Sequence, residues 1–263
     1  MKKAGMKKYS HLYYEGTDST LNICELASYM RGKTGMDVDM RGNVIPQDKD
    51  TQDFLAQEFA MARVINPQKE ELNTAPLSAE IGYESRLLLH QKHSGLLYDG
   101  FCLQKIFRSI LPGGEHNLAH AHIIITSRLF GTFEDNRYHA RVAVFGAPSI
   151  ISLTGLIEAP AKPREFYLRK QFGQDIPGLL KEFKDRLLDY NDSRIIEVLK
   201  GYLMQSFFYH VSGNPFCDDP HCRLYNAHWQ EEVIFAQIGG EYEFCQRHEQ
   251  GNLHHRDTEA RRE

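Results

Sequence analysis

The sequence has no basic excess. Lysine and arginine number 31 against 35 aspartate and glutamate, a net charge of -4 at neutral pH. Proteins that live on nucleic-acid phosphates lean on a basic face, so no nucleic-acid partner is expected. Long apolar runs are missing as well, and none approaches the roughly 18 residues that a helix needs to cross a bilayer, so no membrane partner is expected either. The opening MKKAGMKK carries the charges of a secretory leader, but YSHLYYEGTDST after it lacks the apolar segment that a leader requires. Cysteine is sparse and odd in number: Cys24, Cys102, Cys217, Cys222 and Cys245. That usage favours reduced thiols and metal ligation over a disulfide framework, and a cytoplasmic setting. A phosphate-binding glycine loop, a regular strand-helix alternation and an internal repeat are absent too.

What is present is ordinary globular material, 263 residues that are 41% hydrophobic and 25% charged. The order of elements implies an α+β or mixed α/β fold, in one domain over 1–250 followed by a polar tail over 251–263. HLYYE reads as a first strand, followed by a helix capped by Asp18 or Ser19 and ended by Gly32 and Gly35. MDVDM reads as a second strand, and a helix is expected over 52–64. The weakly patterned 66–86 reads as loop. Asp99 caps a helix carrying Cys102 on its apolar stripe, and Cys102 and Cys24 both read as structural thiols. Three β-branched strands follow over 121–127, 138–145 and 149–156, joined by FGTFEDNR and GAP. EAPAKPREFY reads as extended, and Asp175 with Pro177 opens another helix. The helix over 193–211 starts amphipathic and turns apolar all round, so it plunges into the core, delivers His210 and stops at Gly213. A last helix over 227–238 is capped by Asn226.

The most specific signal lies after His210. Cys217 and Cys222 are four residues apart across DDPH, and Cys245 precedes His248 with two residues between them. Two short chelating pairs separated by a helix-sized insert suit one closed tetrahedral zinc, because thiolate and imidazole are its preferred donors. Thiols in polar loops have no packing role otherwise and stand open to oxidation. One structural Zn2+ per chain, held by Cys217, Cys222, Cys245 and His248, is expected to contribute directly to folding. His221 adjoins Cys222 too closely to share the same ion without strain.

This stretch resembles archaemetzincins, zinc-dependent metallopeptidases with the motif HExxHxxGxxHC, a further x4-C-x-M and a later C-x2-C. Aligned on the first cysteine, the chain reads SFFYHVSGNPFC, DDPHCRL and CQRH. The resemblance carries over at His210, Gly213, Cys217, Cys222 and Cys245, with His248 in place of the last cysteine. It is also similar to a group of uncharacterised metallopeptidase-like proteins. A metzincin-like central twisted sheet packed with helices is implied, with the cysteines on a structural zinc. The catalytic positions depart from the pattern: Ser206 for the first histidine, Phe207 for the glutamate base, Phe216 for the third histidine and Leu224 for the Met-turn methionine. A catalytic zinc needs three protein ligands and an activated water. His210, the one candidate catalytic residue, supplies a single ligand.

Two readings therefore stand. In the first, the chain is a pseudoenzyme whose groove accepts an extended peptide or protein partner along an edge strand. In the second, it is a metal-dependent hydrolase using His210 with histidines from elsewhere. EHNLAHAHIII holds His116, His120 and His122; on a strand, His120 and His122 share a face that His139 can join, with Glu115, Glu134 or Glu158 as base. No helical spacing enforces that convergence, so these read as surface or sheet-edge histidines. In NAHWQEE, His228 with Glu231 or Glu232 is a further candidate pair.

Overall fold

A computed structural model describes residues 8–16, 21–90, 95–190 and 192–249. Strict alternation of two kinds of side chain gives a strand two different faces, and YSHLYY does this. In order across a five-stranded sheet lie β2 (Asp37–Asn43), β1 (Tyr9–Tyr14), β6 (His120–Thr126), β10 (Ser149–Ser152) and the edge strand β9 (Ala143–Val144). The first four run parallel, and β9 alone is antiparallel. Parallel strands are buried on both faces, which explains the near-continuous apolar run of β6.

Leu12, Ile123, Ile125 and Ile151 point into one core, where α1 (Ile23–Thr34) and α8 (Ile195–Ser212) pack. Tyr13, Ile124 and Ile150 point into the other, covered by α2 (Lys49–Met61), α3 (Ser78–His90) and α4 (Gly100–Ser109). A smaller sheet of β5 (Leu97–Asp99), β7 (Leu129–Glu134) and β8 (Arg137–Arg141) flanks this second core, with a short hairpin of β3 (Val64–Asn66) and β4 (Glu71–Leu72). α5 (Leu153–Glu158) follows β10, and a satellite cluster of Phe166, Leu179, Phe183 and Leu187 ties α6 (Arg164–Gln171) to α7 (Ile176–Glu182). After α8 comes α9 (Gln230–Ile234), which widens into a π-helical turn over Phe235–Gly239. No helix among the described residues is long and apolar enough to cross a membrane.

α8 is buried from Val198 through Phe208 except at Lys200, and Gly213 closes it in the left-handed region at φ 73°, as its sequence requires. Elsewhere the structure corrects the expectations. Asn22 caps α1 through the Glu25 N–H, and Gly32 lies inside the helix; Asp18 and Ser19 fall outside the described residues, as does the tail from 250. Cys24 is exposed, outside the face of α1 that buries Leu26, Ala27 and Met30. Cys102 is half-buried beside the second core, and burial pushes its thiol up to about 11.

The segment read as loop over 66–86 takes in β4 and the first nine residues of α3, which hid because its core face carries Glu84. That carboxylate is fully buried and receives bonds from Arg63, Tyr98 and Arg128. FGTFEDNR is β7 and a two-residue turn: Asp135 and Asn136 take φ 50° and 60°, the left-handed pair that closes a tight hairpin. The strand expected over 138–145 divides between two sheets, and the one over 149–156 ends at Ser152, whose hydroxyl accepts the Gly155 N–H and starts α5. EAPAKPREFY turns helical from Arg164. Asn226 does not cap the last helix. A bridge between Ala161 and Trp229 keeps that stretch extended, and Glu232 accepts the His228 and Trp229 N–H groups instead.

Candidate metal centre

The Gly213 turn throws the chain back across the end of α8, so Cys217 and Cys222 return to the core that the helix fills. Cys217 donates its N–H to the Leu224 carbonyl at 2.9 Å and Cys222 donates to Asp219 at 3.0 Å, which closes the DDPH loop. The backbone of Arg223 donates to Glu243, drawing in the segment that carries Cys245 and His248. Cys222 is fully buried, and the His248 ring stands edge-on to Phe208 of α8 with centroids 5.2 Å apart.

The four donors converge, with ligand atoms all within 4.8 Å of one another. Cys217 Sγ lies 3.7 Å from Cys245 Sγ, and His248 Nδ1 lies 3.1 Å from Cys245 Sγ and 3.8 Å from Cys222 Sγ. Sulfurs on a tetrahedral zinc sit about 3.8 Å apart, and a sulfur and a nitrogen about 3.5 Å apart, given Zn–S near ~2.3 Å and Zn–N near ~2.0 Å. The residues present therefore fit one ion. Burial pushes the Cys222 thiol up to about 12 and raises Cys217 as well, so only a cation brings such sulfurs to thiolate at neutral pH. Backbone hydrogen bonds from Leu224 and Cys245 already reach the Cys222 sulfur. His221 stays out of the group, edge-on to Phe235 with its Nδ1 accepting the Glu241 N–H.

His210 is placed differently. Its Nε2 bonds the Leu118 carbonyl at 3.1 Å, burial lowers its pKa, and it joins no group of three donors among the described residues. Ser206 is buried with its hydroxyl turned onto the Tyr202 carbonyl at 2.9 Å, Phe207 is in the core, and Leu224 is fully buried. Phe216 packs edge-on against Phe145, which follows the edge strand and also stacks on Tyr209. An aromatic patch thus stands where β9 meets the end of α8.

The remaining histidines separate into those the fold gathers and those it does not. His116 and His228 are exposed, and His139 belongs to the smaller sheet, 3.2 Å from the Arg137 Nε. Glu134 pairs with Arg141, and Glu158 accepts from Tyr190. His120 and His122 do share a strand face, and the strand beside them adds His11. His11 Nε2 is 2.8 Å from His120 Nδ1, and Glu115 Oε2 is 3.8 Å from both His11 Nε2 and His122 Nε2. His11, Glu115 and His120 form the second group that can hold an ion. His11 escaped the sequence reading although Tyr9, His11 and Tyr13 alternate on β1; nothing local shows that β1 and β6 are neighbours in this register.

Compared with known proteins, residues 6–253 match the model of a family described as "Probable metallopeptidase family (DUF6775)". The chain belongs to this family. Among solved structures, an archaemetzincin from Methanopyrus kandleri is similar over 96% of this chain and 97% of that one, with 11% sequence identity and a TM-score of 0.50. A zinc-dependent peptidase from Methanocorpusculum labreanum aligns over 93% of this chain and 99% of that one, at 12% identity and a TM-score of 0.46. No curated protein matches the sequence. The archaemetzincin likeness shows the fold: this family member carries its mixed α+β architecture, with a three-cysteine, one-histidine cluster near the C-terminus.

Proposed function

We propose that this metallopeptidase-family chain is a zinc-stapled pseudoenzyme whose groove holds an extended peptide or partner segment without cutting it. The observation that carries the reading is the fate of His210: its ring bonds a backbone carbonyl, and the positions of the other catalytic residues in the resembling motif hold Ser206, Phe207 and Phe216. A peptidase zinc needs three protein ligands with a carboxylate base beside them. One imidazole does not make that site. The rival hydrolase reading requires His210 to be joined by other donors, and among the described residues it is not.

Zinc is the ion the Cys217, Cys222, Cys245 and His248 set suits best, and a closed set of four leaves no position for substrate. Its role in this reading is structural, tying the loop after α8 to the end of the described chain. Thiols kept as ligands suit a reducing compartment, the cytoplasm. Binding falls to the edge. β9 ends the sheet, so an extended segment can add beside it, with side chains received by Phe145, Tyr209 and Phe216 and by Leu118, which is 78% exposed.

The test is a blocked-end peptide library presented to zinc-loaded protein, with binding read by affinity capture and cleavage by mass spectrometry. Selected peptides should bind intact, and Phe145→Ala should weaken them about tenfold, as expected for an aromatic anchor. Metal-dependent cleavage that disappears in His210→Ala would sink the proposal.

A further inference from the structure

β1 and β6 place three imidazoles side by side on the sheet face away from α8. The parallel register sets Tyr9 opposite His120 and His11 opposite His122. The His11 ring lies 5.1 Å from that of His120 and 4.8 Å from that of His122. Leu12, Ala121 and Ile123 alternate with these histidines, and Leu12 and Ile123 face the core that α8 fills. The cluster is therefore separate from both the sulfur site and the aromatic groove.

His11 is 3% exposed and His122 is 4% exposed. Two of their nitrogens, His11 Nδ1 and His122 Nε2, have no hydrogen-bond partner although they are buried. Leaving a buried nitrogen without a good hydrogen bond is costly, so two in one cluster require a reason. Each has only weak contacts in place of a good hydrogen bond: His122 Nε2 lies 3.8 Å from the Glu115 carboxylate and His122 is near the Glu115 backbone, and His11 Nδ1 is 3.5 Å from Asp39.

We propose that His11 Nε2, His120 Nδ1 and Glu115 Oε2 form a second metal site, one for a borderline divalent cation such as Zn2+, with His122 Nε2 beside it at 3.8 Å from the carboxylate. Donors about 2.1 Å from a shared ion lie about 2.9–3.4 Å apart, from octahedral to tetrahedral angles. The separations of 2.8 Å and 3.8 Å bracket that range. Two imidazoles and one carboxylate select such an ion over Mg2+ or Ca2+, which prefer oxygen.

The surroundings are those of ligands held in place. Asp39 stands at the far nitrogen of His11, and Tyr13 Oη is 3.2 Å from the far nitrogen of His122. Arg41 grips both Glu115 oxygens at 2.8 Å, fixing the carboxylate's direction. Such outer contacts set the ring orientation and tautomer of ligating histidines.

The full-length protein, stripped and reloaded with one equivalent of zinc, is titrated with Co2+. The zinc-loaded chain should take up a further equivalent of cobalt with weak d–d absorption and no thiolate charge-transfer band. Glu115→Gln and His120→Ala should each lose that uptake while keeping their zinc and their circular dichroism. Asp39→Asn should weaken it about 10- to 100-fold. The half-exposed Glu115 makes its glutamine variant safe for folding even if a histidine variant is not. Absence of a second equivalent in the parent overturns the proposal. So does uptake at unchanged affinity in both variants, which would place the ion elsewhere, such as on His254 and His255.

Discussion

The sulfur cluster and the histidine cluster are built in opposite ways. Cys217, Cys222, Cys245 and His248 sit on loops and turns near one end of the chain, and only a short helix and its π-turn separate the two pairs. His11 and His120 stand 109 positions apart, on two central strands whose register is fixed by a ladder of backbone bonds. In the first arrangement two loops are joined by a few hydrogen bonds, Arg223 N–H to Glu243 and Glu241 N–H to His221 among them, and an ion would clamp them at one point. The second is assembled by the sheet before any ligand arrives. A metal should therefore be a folding element in one region and a guest in the other.

The largest effect should come from Cys222→Ser. Losing a buried ligand of a structural metal should cost about 5 kcal/mol or more. In a chain of this size that lowers the melting temperature by ~10–20 °C. Differential scanning calorimetry with and without a strong chelator checks it, and a variant that melts like its parent breaks the comparison.

Next comes the other end of the same two strands, where β1 runs into Glu15 and β6 into Arg128. Arg128 is fully buried, bonded at 2.8 Å to both Glu15 and Glu84, with its guanidinium 3.7 Å from the Phe59 ring centroid. Arg128→Ala removes a cation from two buried carboxylates, leaving Glu84 with Arg63 and Tyr98 and Glu15 with the Thr126 hydroxyl, and should cost about 3–5 kcal/mol in urea unfolding. The smallest effect belongs to His120→Ala, whose lost bond to His11 should cost only about 1 kcal/mol. If His120→Ala proves as damaging as Arg128→Ala, the histidines are structural and the contrast between the clusters collapses.

Legibility followed the distance over which each feature is made. α8 and its Gly213 stop were readable because apolar content and a left-handed glycine act within one helix. α3 was not, because its core face presents Glu84, whose partners Arg63, Tyr98 and Arg128 lie on other elements. The chain over 138–145 carried strand propensity throughout, yet propensity does not say which sheet a strand joins, and here it serves two. Cys24 read as a structural thiol, yet α1 buries Leu26, Ala27 and Met30 and leaves it exposed.

The sequence by itself determined the sulfur cluster's membership, since ligand spacing and residue identity are local properties. Only the tertiary structure decided where His210 points and which histidine joins His120 and His122. A ring's partner depends on what the rest of the chain brings beside it, and the pairing of β1 with β6 depends on burying Leu12 and Ile123 on one face of the sheet and Tyr13 and Ile124 on the other.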